Sequence, residues 1–133
     1  MAKEFWNIPT GRMLNEDGEI FEKQLLTWRL EVPLEVAVDA LYSLTLKSKE
    51  NALWNAKRDN DGTLLWAELT WIRLGKKKDG WNDLLGRITL EPGSIKAEVN
   101  SEGRATRLKI EVTKRLGDGV AFEKAVLIKN KGF

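Results

Sequence analysis

The chain has 133 residues, 42% apolar and 32% charged, which is the balance of one ordinary globular domain. It has no cysteine and no histidine, which excludes disulfides, thiolate metal sites and nucleophile systems that need an imidazole base. The net charge of +2 is uneven, because residues 1–66 carry 8 basic and 11 acidic side chains whereas residues 67–133 carry 14 and 9.

No linker, internal repeat or low-complexity tract interrupts the chain, so we predict a single compact domain over residues 1–133. No apolar run approaches the roughly 18 residues that a membrane-spanning helix needs. The first residues, MAKEFWNIPTGR, lack the apolar core of a secretory signal. We therefore expect a cytoplasmic protein that does not enter a membrane.

The first periodic segment is IFEKQLLTWRLEV, residues 20–32, where apolar and polar side chains alternate as in a half-buried strand. Its predicted apolar face consists of Ile20, Leu26, Trp28, Leu30 and Val32.

Pro33 follows, and its fixed φ suits the first position of a helix. Apolar residues at helical spacing then predict a helix over about 33–46, with the stripe Leu34, Ala37, Val38, Leu41 and Leu44.

Two strand-like runs come next, NALWNAK and TLLWAELTWIRL, joined by the segment from Arg58 to Gly62. Part of this region fits a calcium-loop signature, through Asp59, Asp61, Gly62 and Glu68. Lys57, however, stands where the first aspartate ligand belongs, and a cation there repels the ion. Asp-Asn-Asp-Gly is also strong hairpin chemistry, so we predict a turn. In the second run we expect one shared face of Leu65, Ala67, Leu69 and Trp71, opposite Leu64, Trp66, Thr70 and Ile72.

Downstream, LLGRITL and IKAEVN predict a hairpin that turns at Pro92-Gly93. Its predicted inward residues are Ile88, Leu90, Ile95, Ala97 and Val99.

Residues 102–116 are open to two interpretations. A cap at Asn100 or Ser101 and a stop at Gly117 favour a helix. Leu108, Ile110 and Val112 also alternate as in a strand, which we keep as the alternative. The last run, AFEKAVLI, is short and fits either type of element.

The order strand, helix, several antiparallel strands, helix predicts an α+β fold. We expect a mostly antiparallel sheet with two helices packed on one side.

Two groups of residues are candidate contacts with a partner. The six tryptophans are dense for a chain of this size, and we expect Trp28 and Trp71 in the core but Trp66 and Trp81 available for contact. Basic residues form the second group. Lys76, Lys77 and Lys78 stand beside Trp81 in the loop GKKKDGW, and Arg104 and Arg107 lie on the predicted helix near a start that could hold an anion.

Aromatic and leucine side chains lie on both faces of the predicted strand over residues 63–74, which would otherwise expose apolar area. They favour a small non-enzymatic module that acts through a protein–protein surface, as a homo-oligomer or with another protein. A nucleic-acid-binding domain that uses the basic, tryptophan-containing C-terminal half is the alternative. An enzyme based on carboxylates remains as a third hypothesis, with Glu16, Asp17 and Glu19 or Asp59 and Asp61 as its acids. We assign no catalytic residue, no metal ligand and no cofactor.

Overall fold

The computed structural model describes residues 13–75 and 82–128. The elements in chain order are β1 (Gln24–Leu30), α1 (Leu34–Leu41), a 3₁₀ turn (Tyr42–Thr45), α2 (Lys49–Ala52), β2 (Ala56–Arg58), β3 (Leu64–Arg73), β4 (Asp83–Glu91), β5 (Ser94–Val99), α3 (Glu102–Leu116), a second 3₁₀ turn (Gly117–Gly119) and β6 (Val120–Leu127).

The six strands form one sheet in the order β2-β3-β4-β5-β1-β6. Every neighbouring pair is antiparallel. The long helices α1 and α3 contact each other and pack on the same face of the sheet. The predicted α+β class, a mostly antiparallel sheet with two helices on one side, is therefore confirmed. We call the opposite face, which carries no helix among the described residues, the open face.

The buried apolar residues of the described chain belong to one cluster between this sheet and the helices. Trp28, which is 1% exposed, is the largest fully buried side chain in it, and Trp71 also lies there, as expected. Of the face predicted for residues 20–32, Leu26, Trp28 and Leu30 are buried. Ile20 is not part of that strand, because it pairs with Leu14 in an isolated bridge and remains exposed.

Residues 102–116 form the helix α3, so the strand alternative is wrong. The Ser101 hydroxyl accepts a hydrogen bond from the Arg104 backbone N–H at 3.1 Å, and Gly117 at φ 51° ends the helix. This geometry buries Leu108 and Val112 and turns Ile110 toward solvent, whereas a strand would have placed all three on one face.

The predicted helix over 33–46 is confirmed in position, as α1 followed by the first 3₁₀ turn. The strand predicted for NALWNAK is wrong over most of its length. Ser48 caps a short helix by accepting a hydrogen bond from the Asn51 N–H, and only Ala56–Arg58 pairs in the sheet. A local side-chain cap thus outweighs the β propensity of this run.

The segment between β2 and β3 is a tight turn, as predicted. The Asp59 carboxylate accepts hydrogen bonds from the backbone N–H groups of Asp61 and Thr63, and Gly62 adopts φ 84°. The face predicted for Leu65 is wrong. Arg58 pairs with Leu64 and Lys57 with Trp66, so Leu65 is the extra residue of a bulge and is exposed while Leu64 is buried.

The predicted hairpin at Pro92-Gly93 is confirmed as β4 and β5, and its five inward residues are all buried. AFEKAVLI is a strand, β6, which pairs with β1. Within residues 13–75 and 82–128, no helix is long and apolar enough to cross a membrane.

Candidate functional site

The predicted contact residues that the structure describes, Trp66, Arg104 and Arg107, do not form one surface. Trp66 is half-buried on the open face, where it lines a shallow concavity together with Glu68, Arg87 and Lys96. Arg104 and Arg107 lie in the first half of α3. Lys76, Lys77, Lys78 and Trp81 fall outside the described residues.

Arg104 is fully buried, so the expectation that it is exposed is wrong. Its guanidinium donates to the Glu16 carboxylate at 2.9 Å, to the Asp17 carboxylate at 3.2 Å and to the Leu84 carbonyl at 3.3 Å. The cause is the loop of residues 15–19, which we call the acidic loop and which folds over the start of α3. A buried guanidinium needs such partners, because an unpaired charge inside a protein is very costly.

The acidic loop also occupies the helix start where an anion was expected. The Ser101 hydroxyl donates to the Glu19 carboxylate at 2.6 Å, and the Arg107 guanidinium donates to Asp17 at 2.8 Å. A Cβ on Gly103 would overlap the Glu19 carboxylate, so the missing side chain makes room for that group. The anion at this end of α3 is thus the chain's own.

The electrostatics of the acidic loop follow from these contacts. Burial acts to raise the pKa of Asp17, but hydrogen bonds from Arg73 and Arg104 outweigh it and the pKa is lowered from its ordinary value. The hydrogen bond from Ser101 lowers the pKa of Glu19 in the same way, against a smaller effect of burial. Both carboxylates are therefore held in the charged form, which suits an anchor rather than a general acid.

A groove of about 480 Å³ lies between α3, the first 3₁₀ turn and the end of β3. Exposed apolar side chains, Leu46, Leu74 and Ile110, line it along with three arginines. Each arginine already has a carboxylate partner in the chain: Arg73 pairs with Asp17 and Asp83, Arg107 with Asp17 and Glu19, and Arg115 with Glu111. The groove therefore offers apolar surface with neutralised charge, and its rim does not select an anionic ligand.

The two edges of the sheet differ sharply. At one edge, β2 is three residues long and contains Lys57 and Arg58, which is how proteins blunt an edge against pairing. At the other edge, β6 is eight residues long, and among the described residues no strand pairs with its outer side. Four apolar side chains at this edge are between 36% and 47% exposed, and they are Phe122, Val126, Leu127 and Ile128.

The strand β6 is irregular at its centre. Trp28 of β1 pairs with Phe122 and Thr27 pairs with Lys124, so Glu123 is the extra residue of a bulge. The Phe122 ring meets the Trp28 ring edge-on, with 5.5 Å between the two ring centroids. The Lys109 ammonium lies 4.7 Å from the centroid of the Phe122 ring. These contacts hold Phe122 on the helix side of the sheet, at the rim of the core.

Sequence reasoning missed two features of the surface. Trp54 is 91% exposed in the connection from α2 to β2. Its exposure was not predicted, because NALWNAK was predicted to be a strand. The open edge of β6 was missed because AFEKAVLI fits a helix as well as a strand, and edge position is a property of the whole sheet. A third feature, the pairing of the acidic loop with buried Arg104, has no local signal in the sequence.

Within residues 13–75 and 82–128, no group of three or more carboxylates is arranged to hold a metal ion. Comparison with known proteins finds no match: no family model, no curated protein and no solved structure matches this chain.

Proposed function

We propose that this chain is a small non-catalytic module that works by binding protein through the open edge of β6, and that it associates with itself there. The observation that carries the proposal is the contrast between the two edges. Among residues 13–75 and 82–128 the outer backbone groups of this eight-residue strand have no strand partner, and with its exposed apolar side chains it is a template for a further strand, whereas β2 is blunted.

Side-chain exposure supports the same surface. Phe122 and Val126 are 42% and 45% exposed on opposite faces of one strand. A strand added beside β6 would cover part of both side chains and pair its backbone at the same time. The groove beside α3 is the weaker candidate for a binding surface, because its arginines are already engaged with internal carboxylates.

The test is the molar mass in solution, by size-exclusion chromatography with light scattering from about 10 µM to about 1 mM. We expect the mass of the wild-type protein to rise from one chain toward two. Val126→Lys places a charge in the edge and should hold the protein at one chain. The matched control is Val36→Lys, because Val36 is 47% exposed on α1, away from the edge, and its variant should associate like wild type. A wild-type mass of one chain at every concentration would refute the proposal.

Nucleic-acid binding stays a second prediction, and the contacts weaken its original residue set. Arg104 is buried and Arg107 is paired with Asp17 and Glu19, so the binding would have to come from Lys76, Lys77, Lys78 and Trp81. Titration with single-stranded and duplex oligonucleotides at low and high salt, followed by tryptophan emission, tests it, since phosphate binding must weaken with salt. A location in the cytoplasm likewise remains a prediction.

A further inference from the structure

The sequence of β6, VAFEKAVL, is complementary in charge to itself when two copies run antiparallel. We propose, building on the proposed function, that the partner of β6 is β6 of a second copy, related by a two-fold axis between Glu123 and Lys124. Each Glu123 then lies opposite the Lys124 of the other chain. The three residues before Glu123 and the three residues after Lys124 are apolar.

A regular strand could not pair with itself in this register. Directly opposite residues of an antiparallel pair point to the same face, and successive residues alternate between faces. An axis between two residues would therefore set side chains of opposite faces against each other all along the strand. Two identical regular strands must instead place the axis on a single residue, which meets its own copy.

The bulge at Glu123 removes this obstacle. Phe122 lies opposite buried Trp28 and Ala125 lies opposite buried Leu26, so both point to the helix side although they are three residues apart. In the proposed register Phe122 of one copy faces Ala125 of the other. The small alanine leaves room for the ring, which is packed against Trp28 on its inner side.

The remaining pairs also agree in their faces. Ala121 and Val126 lie opposite Arg29 and Leu25, on the open face, and would face each other. Val120 and Leu127 lie opposite Leu30 and Gln24, on the helix side, and would face each other too. The eight residues thus form four kinds of pair, each matched in face and in polarity.

In the proposed pairing the central charges lie on the open face. Lys124 is opposite Thr27, whose side chain points to the face opposite Leu26 and Trp28 because successive residues of a strand alternate between faces. Glu123 is the extra residue of the bulge, between Phe122 on the helix side and Lys124 on the open face. The proposed pairing places the Glu123 side chain on the open face with Lys124, as a bulge permits.

Registers centred on one of the middle residues Glu123, Lys124 or Ala125 fail on these same grounds. An axis at Glu123 or at Lys124 sets like charges opposite each other, which is destabilising. An axis at Ala125 sets Leu127 of the helix side against Glu123 of the open face. Face and charge favour the register between Glu123 and Lys124 over these three, and that register pairs all eight residues of β6. In it the two six-stranded sheets become one continuous sheet.

Charge reversal tests the register. Glu123→Lys gives a strand with two adjacent lysines, and Lys124→Glu gives a strand with two adjacent glutamates. In a dimer of either variant like charges lie opposite each other, so we expect its dimer dissociation constant to be about tenfold or more above that of wild type. The double variant Glu123→Lys/Lys124→Glu restores both pairs and should dimerise like wild type. An equimolar mixture of the two single variants should form a heterodimer, because every lysine then faces a glutamate.

Sedimentation equilibrium of each single variant, the double variant and the mixture measures these outcomes, with the unfolding midpoint of each variant as a check on folding. Single variants that dimerise as tightly as wild type, or that form no heterodimer when mixed, would overturn the register while Val126→Lys still tests the edge. A monomeric wild type would overturn both proposals, and the bulge and charges of β6 would then be devices that block pairing.

Discussion

Among the single residues, the arginines of this chain serve as internal anchors. Arg104 is buried against Glu16 and Asp17, and Arg73 and Arg107 share Asp17 with it. A buried arginine is weak evidence for stability in itself, but removal of one partner leaves a charge uncompensated. Asp17 is thus the residue on which the placement of the acidic loop depends.

This role predicts an acid sensitivity with a definite sign. Because the folded pKa of Asp17 is lowered from its ordinary value of 3.8, the ionised carboxylate stabilises the fold above that value, and the contribution is lost as the pH falls through the lower folded value. Asp17→Asn should cost about 1–2 kcal/mol at pH 7 and should lose less stability than wild type between about pH 5 and pH 2.

Denaturant unfolding at a series of pH values measures this difference. The matched control is Asp118→Asn, which removes an aspartate in the 3₁₀ turn at the other end of α3. Equal acid sensitivity of wild type and Asp17→Asn would show that the acidic loop is not anchored through this carboxylate.

Among the helices and strands, the close approach of β4 to β5 depends on Gly86. A Cβ there would lie 2.6 Å from the Glu98 carbonyl oxygen and 3.0 Å from the Val99 side chain. Backbone atoms of a central strand cannot move aside cheaply, so Gly86→Ala should destabilise the protein by about 1–3 kcal/mol in denaturant unfolding.

The control for that prediction is Gly103→Ala in α3. The atoms nearest to its Cβ belong to the Glu19 carboxylate, whose side chain can turn away at the cost of its hydrogen bond from Ser101, and alanine offsets part of that loss because it favours the helix. We expect a clearly smaller loss of stability than for Gly86→Ala. A larger loss at Gly103 than at Gly86 would contradict this description of the two sites.

Elements with a local cause could be predicted from the sequence, and elements with a distant cause could not. Helix α3 has its cap at Ser101 and its stop at Gly117 within the segment, so its bounds followed from the pattern. The face of Leu65 did not, because one extra residue in a bulge reverses the alternation before it. The burial of Arg104 depends on a loop 87 residues away from it in sequence, which no local pattern reports.

For the molecule as a whole, β6 is the surface through which we expect this chain to work. In the part of the chain that the structure describes, the helices cover one face of the sheet, β2 ends it with a blunted edge, and β6 leaves the other edge available for pairing. The proposed function therefore depends on the shape and pairing of one strand.

The most direct measurement is disulfide cross-linking, which is unambiguous because the chain has no cysteine of its own. In the proposed dimer Ala121 faces Val126 of the second copy, and opposite Cα atoms of antiparallel strands are about 4.5–5.5 Å apart, within reach of a disulfide. The variants Ala121→Cys and Val126→Cys are mixed, oxidised and weighed by intact mass spectrometry. We predict that the mixed dimer, which joins one copy of each variant, dominates over both like-with-like dimers. Absence of any covalent dimer, or like-with-like dimers in equal yield, would contradict the proposed pairing.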